Sequence, residues 1–131
     1  LSLVRSEDAS YHYRLGQALR GVAAQGVLVL GSGGMSHNLR ALDWKGGARP
    51  SSAYEWVKEF TDWFADRTDA GDTAALIDYR RGAPHASENH PAEDHLLPFF
   101  VALGASESGR GRRIHAATQM RALAMDAYAF D

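Results

Sequence analysis

Histidine is the residue type in this chain with the most chemical potential: there are six histidines and no cysteine among 131 residues. Imidazole is the commonest metal ligand and the natural proton carrier near neutral pH. The lack of cysteine excludes disulfides, thiolate zinc sites and cysteine nucleophiles. His12, His85 and His115 lie in segments typical of polar surfaces or loops, and we expect no chemical role for them. The other three have more informative neighbours.

His37 ends a glycine-rich run. Residues 31–38 read Gly-Ser-Gly-Gly-Met-Ser-His-Asn and follow the apolar residues 27–30. Glycine allows unusual backbone angles and lets a ligand approach the main chain closely. A phosphate-binding loop is the alternative interpretation, but no lysine follows, and the third glycine of the dinucleotide fingerprint is not at its offset. The pattern favours a turn that places His37 at a ligand.

His90 and His95 flank the sequence Pro-Ala-Glu-Asp. Two histidines four residues apart would share a helix face, whereas a gap of five across a helix entrance points the two rings apart. We therefore expect one metal ligand from this segment rather than two. The alternative is that His90 caps backbone groups while Asp94 pairs with a cation.

The elements that must position these histidines begin with a predicted βαβ unit. Residues 1–4 read as a strand, and Ser6 or Asp8 can cap a helix that stops at Gly26. Residues 27–30 form an unbroken apolar run, typical of a strand buried on both faces of a parallel sheet. Open α/β sheets bind ligands at the carboxyl ends of such strands, which is where the glycine run lies.

The rest of the chain is predicted to be mostly helical. Apolar spacing over residues 54–64 indicates an amphipathic helix with a largely buried aromatic face, and Asp72 can cap the next helix. A further apolar helix is expected to start at Pro91, and Pro98 should kink or divide it unless it falls in the first turn. The remaining segments are predicted as a loop at 80–89, a surface turn at 107–113 and a closing strand at 122–130.

Composition narrows the classes of partner. The net charge of −2 is spread without a basic stripe, which argues against nucleic acid and anionic membrane surfaces. No apolar run reaches the length of a membrane span, and no signal-peptide pattern opens the chain. We expect a cytoplasmic protein. Because the sequence opens without methionine, directly on an apparent strand, we also expect that upstream sequence is missing.

The order of these motifs resembles one family along nearly the whole chain. The matching segments are Leu-Gly-Gln-Ala-Leu at 15–19, Gly-Ser-Gly at 31–33, Ser-His-Asn-Leu at 36–39, His-Pro-Ala-Glu-Asp-His-Leu-Leu-Pro at 90–98 and the ending at 123–130. Together they look like the second half of the class III extradiol ring-cleavage dioxygenases of the DOPA 4,5-dioxygenase-like type. The resemblance implies an α/β fold with a central mixed, mostly parallel sheet flanked by helices. Residues 1–131 would be the C-terminal half of one catalytic domain, incomplete without its N-terminal half.

The resemblance also implies residue roles. His37, in Ser-His-Asn-Leu, would be the acid/base residue that takes a proton from the substrate and later returns one. His95, before Leu-Leu-Pro, would be the C-terminal metal ligand in preference to His90. The family's other two ligands belong to its N-terminal half. We expect substrate contacts from Gly33, Gly34, Ser36, Asn38 and His90.

The implied reaction is ring cleavage of a catechol by O2 at one mononuclear metal. Fe(II) is the expected working metal, and Zn(II) can also bind a face of three histidines. The expected partners are a catechol, O2 and the missing N-terminal half, with a homo-oligomer possible, and activity of this segment alone is not expected. Two other hypotheses stay open: a non-catalytic metal- or ligand-binding module of the same fold, and an interaction domain that docks through Trp56 and Trp63.

Overall fold

The computed structural model describes residues 1–45 and 52–131. Across these residues, helices occupy the first three quarters of the chain and short strands the last quarter. The helices are α1 (Ala9–Ala18), α2 (Arg20–Ala23), α3 (Glu55–Ala70), α4 (Thr73–Ile77), α5 (Tyr79–Gly82), α6 (Ala86–Asn89) and α7 (Leu97–Ala105), and residues Leu39–Ala41 form a 3-10 turn. The strands are β1 (Gly111–His115), β2 (Thr118–Gln119), β3 (Leu123–Ala124) and β4 (Ala127–Phe130).

The first helix begins at its predicted cap but ends earlier than expected: the single helix predicted to stop at Gly26 is divided into α1 and α2. Asp8 caps α1, its Oδ1 accepting a hydrogen bond of 2.8 Å from the Tyr11 amide. After the short α2, the chain turns at Gly26, whose φ of 83° is accessible to glycine at little strain. His12, which we expected at the surface, is instead fully buried, with Nδ1 2.8 Å from the Asp8 carbonyl oxygen. That local hydrogen bond satisfies the ring and lets it enter the interior.

Helix α3 supplies the centre of the core. Val57, Phe60 and Phe64 are completely buried, which confirms the amphipathic helix expected from the spacing of its apolar residues. Trp56 and Trp63 are partly buried and pack against this core. Asp72 then caps α4 by accepting from the Ala75 amide, as predicted.

Helix α7 starts later than we expected. The predicted start at Pro91 is wrong: residues 91–96 form turns, and the helix begins at Leu97 with Pro98 in its first turn. A proline there leaves no helical hydrogen bond broken, so the helix is not divided. It crosses α1 at two glycines. A Cβ on Gly16 would lie 2.2 Å from the Val101 carbonyl oxygen, and one on Gly104 would lie 2.1 Å from that of Tyr13.

The described strands form two antiparallel pairs, β1 with β4 and β2 with β3. The structure is therefore a mixed α and β fold, but the described residues show no central parallel sheet. Residues 1–4 and 27–30 are not strands, contrary to our expectation. A strand is held by hydrogen bonds to a neighbouring strand, and within the described ranges no neighbour pairs with either segment. Leu28 and Leu30 are accordingly 83% and 81% exposed.

Three smaller expectations also need correction. The predicted loop at 80–89 contains α6 and most of α5, and the predicted surface turn at 107–113 includes the first residues of β1. The closing strand at 122–130 is divided into β3 and β4. Helical turns of four residues are shorter than two turns of an α-helix, so they leave no readable apolar period.

The core lies between α3, α4, α5 and α7 and is rich in aromatic rings. Tyr79 packs against Phe64 and Phe100 with ring centroids 5.6 Å from each. None of the helices in the described residues is long and apolar enough to span a bilayer. The largest fully buried side chains of the core are Tyr79, Phe60, Phe64, Phe100, Leu76, Leu96, Leu97 and Leu103.

Candidate active site

The rings of His37 and His95 lie directly against each other. Their centroids are 3.5 Å apart and their planes differ by 16°, a stacked arrangement. The lone pair of an imidazole nitrogen lies in the plane of its ring, so two nearly parallel rings cannot aim both lone pairs at one point. The pair is therefore not a two-histidine chelate. The geometry leaves room for one ligand with a second imidazole beside it.

Main-chain hydrogen bonds join the two segments that carry these rings. The Gly34 amide donates to the His95 carbonyl oxygen at 2.9 Å. The His37 amide donates to the Asn89 carbonyl oxygen, also at 2.9 Å. These two bonds hold the glycine turn against the segment 89–95, which brings the side chains of His37 and His95 close together.

The glycines of the turn are needed for main-chain contact. A Cβ on Gly33 would lie 2.0 Å from the His95 carbonyl oxygen, and one on Gly31 would lie 2.3 Å from that of Pro98. No side chain fits at either position without displacing the backbone opposite. Close packing of backbone on backbone therefore explains the glycine run, in addition to the ligand access that we inferred from the sequence.

Ser36 and His90, two of the residues expected to bind substrate, are turned into the protein. Ser36 is 1% exposed; its hydroxyl donates to the Ala122 carbonyl oxygen and accepts from the Ala124 amide, both at 2.7 Å. His90 is 0% exposed, and its Nε2 lies 3.0 Å from the Met35 carbonyl oxygen. This burial favours a structural task for both over direct contact with substrate.

Asn38 lies at the rim of the turn. Its Nδ2 donates to the Glu88 carbonyl oxygen at 2.8 Å, and its Oδ1 accepts from the Arg40 amide at 3.1 Å, which caps the 3-10 turn. Its polar atoms therefore already have protein partners. Substrate contacts from Asn38, Gly33 and Gly34 stay predictions.

A cluster of Tyr79, Arg80 and Glu93 supports the segment that carries His95, and the sequence analysis did not identify it. Tyr79 donates its hydroxyl hydrogen to Glu93 Oε2 at 2.6 Å, and Arg80 Nε lies 3.1 Å from Glu93 Oε1. Burial first, and then the bond to the Glu93 carboxylate, raise the pKa of Tyr79, so it stays a protonated donor. Arg80 also donates to the His90 carbonyl oxygen at 2.7 Å. Because these residues are far apart in sequence from His37, no spacing pattern could have identified them.

The electrostatic surroundings favour an uncharged His37. Burial lowers its pKa, and the nearby His95 lowers it further, while Asp94 acts in the opposite direction. Asp94 itself is paired with Arg5 at 3.0 Å. A His37 that is neutral near pH 7 is able to accept a proton, which is the state that a general base requires.

A largely apolar groove of about 930 Å³ runs along the glycine turn and reaches His95. One wall is the exposed segment 27–34, and the other is formed by α7 and β4. His95 is exposed on this side, whereas His37 is half-buried. The groove is large enough for a small aromatic molecule, although much of it is lined by exposed leucine and valine rather than by polar groups.

As a metal centre, the site is partial. In the part of the chain that the structure describes, no group of three or more histidine, aspartate or glutamate side chains could hold a metal ion. An exposed imidazole such as that of His95 suits Fe(II) or Zn(II) as one ligand. If His95 is one ligand of a mononuclear centre with three protein ligands, the other two must come from residues that the structure does not bring near it.

Comparison with known proteins gives a consistent result. A family model described as the catalytic LigB subunit of aromatic ring-opening dioxygenase matches residues 2–130. The chain is 35% identical over 106 residues to 4,5-DOPA dioxygenase extradiol of Mirabilis jalapa, covering 81% of this chain and 38% of that protein. It is 32% identical over 118 residues to the protein of the same name from Beta vulgaris, covering 88% of this chain and 42% of that one.

Bacterial proteins show the same relation. The 4,5-DOPA dioxygenase extradiol of Escherichia coli K12 is 31% identical over 108 residues, which cover 80% of this chain and 38% of that protein. The chain thus spans about two fifths of the length of these relatives. A crystal structure of an uncharacterized protein from Escherichia coli K12 superposes with a TM-score of 0.78 at 24% identity, covering 97% of this chain and 52% of that one. That likeness supports the fold.

Proposed function

The chain belongs to the family of catalytic LigB subunits of aromatic ring-opening dioxygenases, and from this premise we propose that it forms one half of an extradiol dioxygenase active site. Family membership confirms the resemblance seen in the sequence motifs. In our proposal, His37 is the acid/base residue and His95 is one metal ligand. The reaction is the ring cleavage of a catechol by O2.

The observation that carries this proposal is the stacked pair of His37 and His95. Two imidazoles from distant parts of the chain meet, and one of them, His95, is exposed and lines an apolar groove. Their parallel planes favour one ligand and one neighbouring proton carrier over two ligands. The proposed reaction requires both roles, a metal ligand and a separate acid/base residue.

His37 supplies the proton chemistry in our proposal. Its lowered pKa supports a neutral ring that can accept a hydroxyl proton when a catechol binds. Its main-chain amide donates to the Asn89 carbonyl oxygen, which fixes the backbone from which the ring projects. The same nitrogen can donate that proton back later in the reaction.

The metal ligand is His95 in our proposal, because it is exposed at the groove while His90 is buried against Met35. A metal bound there would supply Lewis acidity and a binding position for O2, and Fe(II) is the metal suited to that chemistry. Zn(II) is an alternative occupant of a histidine face. The remaining ligands would come from an N-terminal half.

The open groove supports an N-terminal half as partner. Leu28 and Leu30 are exposed on a backbone segment that no described strand pairs with, which is an unfavourable arrangement for an isolated protein. The relatives are more than twice as long as the matched region. We propose that an N-terminal half covers this face, that the whole acts on a substituted catechol, and that it works in the cytoplasm.

The test is anaerobic purification of the complete protein, metal analysis, and a screen of catechols for a yellow ring-opened product. We expect Fe(II)-loaded protein to consume O2 and catechol in equal amounts. Zinc-loaded protein is the matched control and should bind catechol without turnover. Iron-loaded protein that binds catechols but never opens the ring would contradict the proposal.

That last outcome would support the second candidate, a non-catalytic metal- or ligand-binding module. The observation in its favour is the absence of a complete ligand group within the described residues. Metal titration of this chain with and without an N-terminal half separates the two candidates. Tight metal binding by this chain alone would contradict the need for an N-terminal half.

A further inference from the structure

We propose that His90 is a positioning residue, which sets the placement of the His37 ring against the His95 ring by tying the glycine turn to the segment 89–95. The expected effect of His90 on the reaction rate rests on the proposed function, whereas its effect on the placement of the His37 ring rests on geometry alone. His90 does not touch the reacting atoms in this proposal.

Burial separates His90 from any substrate. Its side chain is 0% exposed within this chain alone, and any further chain that packs onto the molecule can only cover it more. Its ring lies 5.7 Å from the Phe60 ring, within the aromatic core. A polar side chain in such a place is retained at a free-energy cost unless it makes a useful hydrogen bond.

His90 makes a side-chain hydrogen bond that links the two catalytic segments. Its Nε2 lies 3.0 Å from the carbonyl oxygen of Met35, two residues before His37. Two links between these segments, from Gly34 to His95 and from His37 to Asn89, use main-chain atoms only. The Asn38 side chain adds a bond to the Glu88 carbonyl oxygen, at the edge of the second segment. Substitution of His90 removes its own link and leaves these three in place.

The direction of this hydrogen bond is fixed. A carbonyl oxygen can only accept, so Nε2 carries the hydrogen. Burial lowers the pKa of His90 to about 4; the hydrogen bond to Met35 acts against this shift, and the proximity of His37 and of the Arg80 guanidinium adds to it. The ring is therefore neutral at physiological pH and keeps a single tautomer.

The ring also has a rigid base. The His90 carbonyl oxygen accepts from Arg80 Nη1 at 2.7 Å, and Arg80 is held in turn by Glu93. Movement of the glycine turn relative to His95 would therefore have to break the bond to Met35 rather than drag His90 along. Residues that hold a catalytic group from behind commonly change affinity or activity by about 10- to 100-fold when replaced.

The test compares three substitutions of His90 in the complete protein. His90→Gln keeps an N–H donor near the Nε2 position. The side chain of His90→Asn is too short for its amide to reach the Met35 carbonyl oxygen. His90→Leu removes the donor but fills the space. We expect kcat to fall about 10- to 100-fold in the Asn and Leu variants, with KM and metal content near those of the wild type. The Gln variant should recover most of the rate.

The control is His12→Leu, which replaces another fully buried histidine, on α1, whose contacts are with Val4 and Asp8. It should affect stability without the fall in kcat. If His90→Leu fails to fold, the Gln and Asn variants decide the question. Equal kcat for Gln and Asn, or metal loss in proportion to activity, would overturn the proposal.

NMR provides a readout that does not depend on turnover. Stacking of His37 on His95 shifts the ring protons of both through their mutual ring currents, and we expect that shift to shrink in His90→Asn and to persist in His90→Gln. If the wild type opens no catechol but the shifts behave in this way, the proposed function fails and the positioning role stands. Unchanged shifts in every variant would refute the positioning role.

Discussion

The two sides of α7 differ in how completely this chain covers them. On the closed side, formed by α3, α4, α5 and α7, the aromatic core excludes solvent; Phe60, Phe64 and Phe100 are 0% exposed. On the open side, formed by residues 27–34 and the groove, Leu28 is 83% exposed. One side is a closed protein interior, and the other is apolar surface that the described residues leave exposed.

The candidate site lies on the border between the two sides. His90 is buried on the closed side, next to the segments that carry His37 and His95, while His95 is exposed towards the open side. This arrangement separates positioning from chemistry. In our proposal the closed side holds the geometry of the site, and the open side is where the substrate, the metal and further ligands come together.

The largest effect that we expect tests the closed side. Phe60→Ala should lower the free energy of unfolding by about 3–5 kcal/mol, because it removes a fully buried ring and leaves a cavity. Urea unfolding of the chain measures the change. Leu30→Ala is the matched control, since Leu30 is 81% exposed and should change little. Similar losses for both variants would show that the two sides do not differ.

The second prediction concerns acid stability and again depends on the closed side. Because burial lowers the pKa of His90 to about 4, below its usual 6.5, the unfolded state binds its proton at higher pH than the folded state does. The contribution is fully present above about pH 6.5 and falls as the pH drops towards 4, by on the order of 3 kcal/mol. Unfolding measured from pH 7 to 4 should show a shallower decline in His90→Leu. Identical slopes in the two proteins would contradict the buried, neutral ring.

The smallest effect on stability is expected on the open side. Leu28→Ser should change the free energy of unfolding of this chain by less than about 0.5 kcal/mol, because the side chain is exposed and does not pack in the core. The same change should weaken association with an N-terminal half, measured by calorimetric titration. A variant that binds that half with unchanged affinity would show that residues 27–30 are not part of the interface.

The sequence predicted the helices better than the strands, for a physical reason. The apolar residues of a helix such as α3 recur with the helical period, and its backbone hydrogen bonds lie within the helix. The spacing over residues 54–64 was therefore enough to identify it. A strand takes its hydrogen bonds from a neighbour. Residues 27–30 have the composition of a buried strand, but the described chain offers them no partner and no cover.

The candidate site was predictable only in part. The residues around His37 and His95 carry motifs that resemble a family, but no spacing rule shows that these two rings stack. The burial of His90 and its bond to Met35 were not visible either, because they depend on how two distant segments pack. The group of Tyr79, Arg80 and Glu93 was missed for the same reason.

The most direct test of the central claim is the metal content and ring-cleavage rate of His37→Ala and His95→Ala in the complete protein. We predict that His37→Ala keeps its metal and loses about 10²- to 10⁴-fold in rate, as expected for removal of a general acid/base. His95→Ala should lose both metal and activity. Equal metal loss in the two variants would contradict the assignment of one ligand and one proton carrier to the stacked pair.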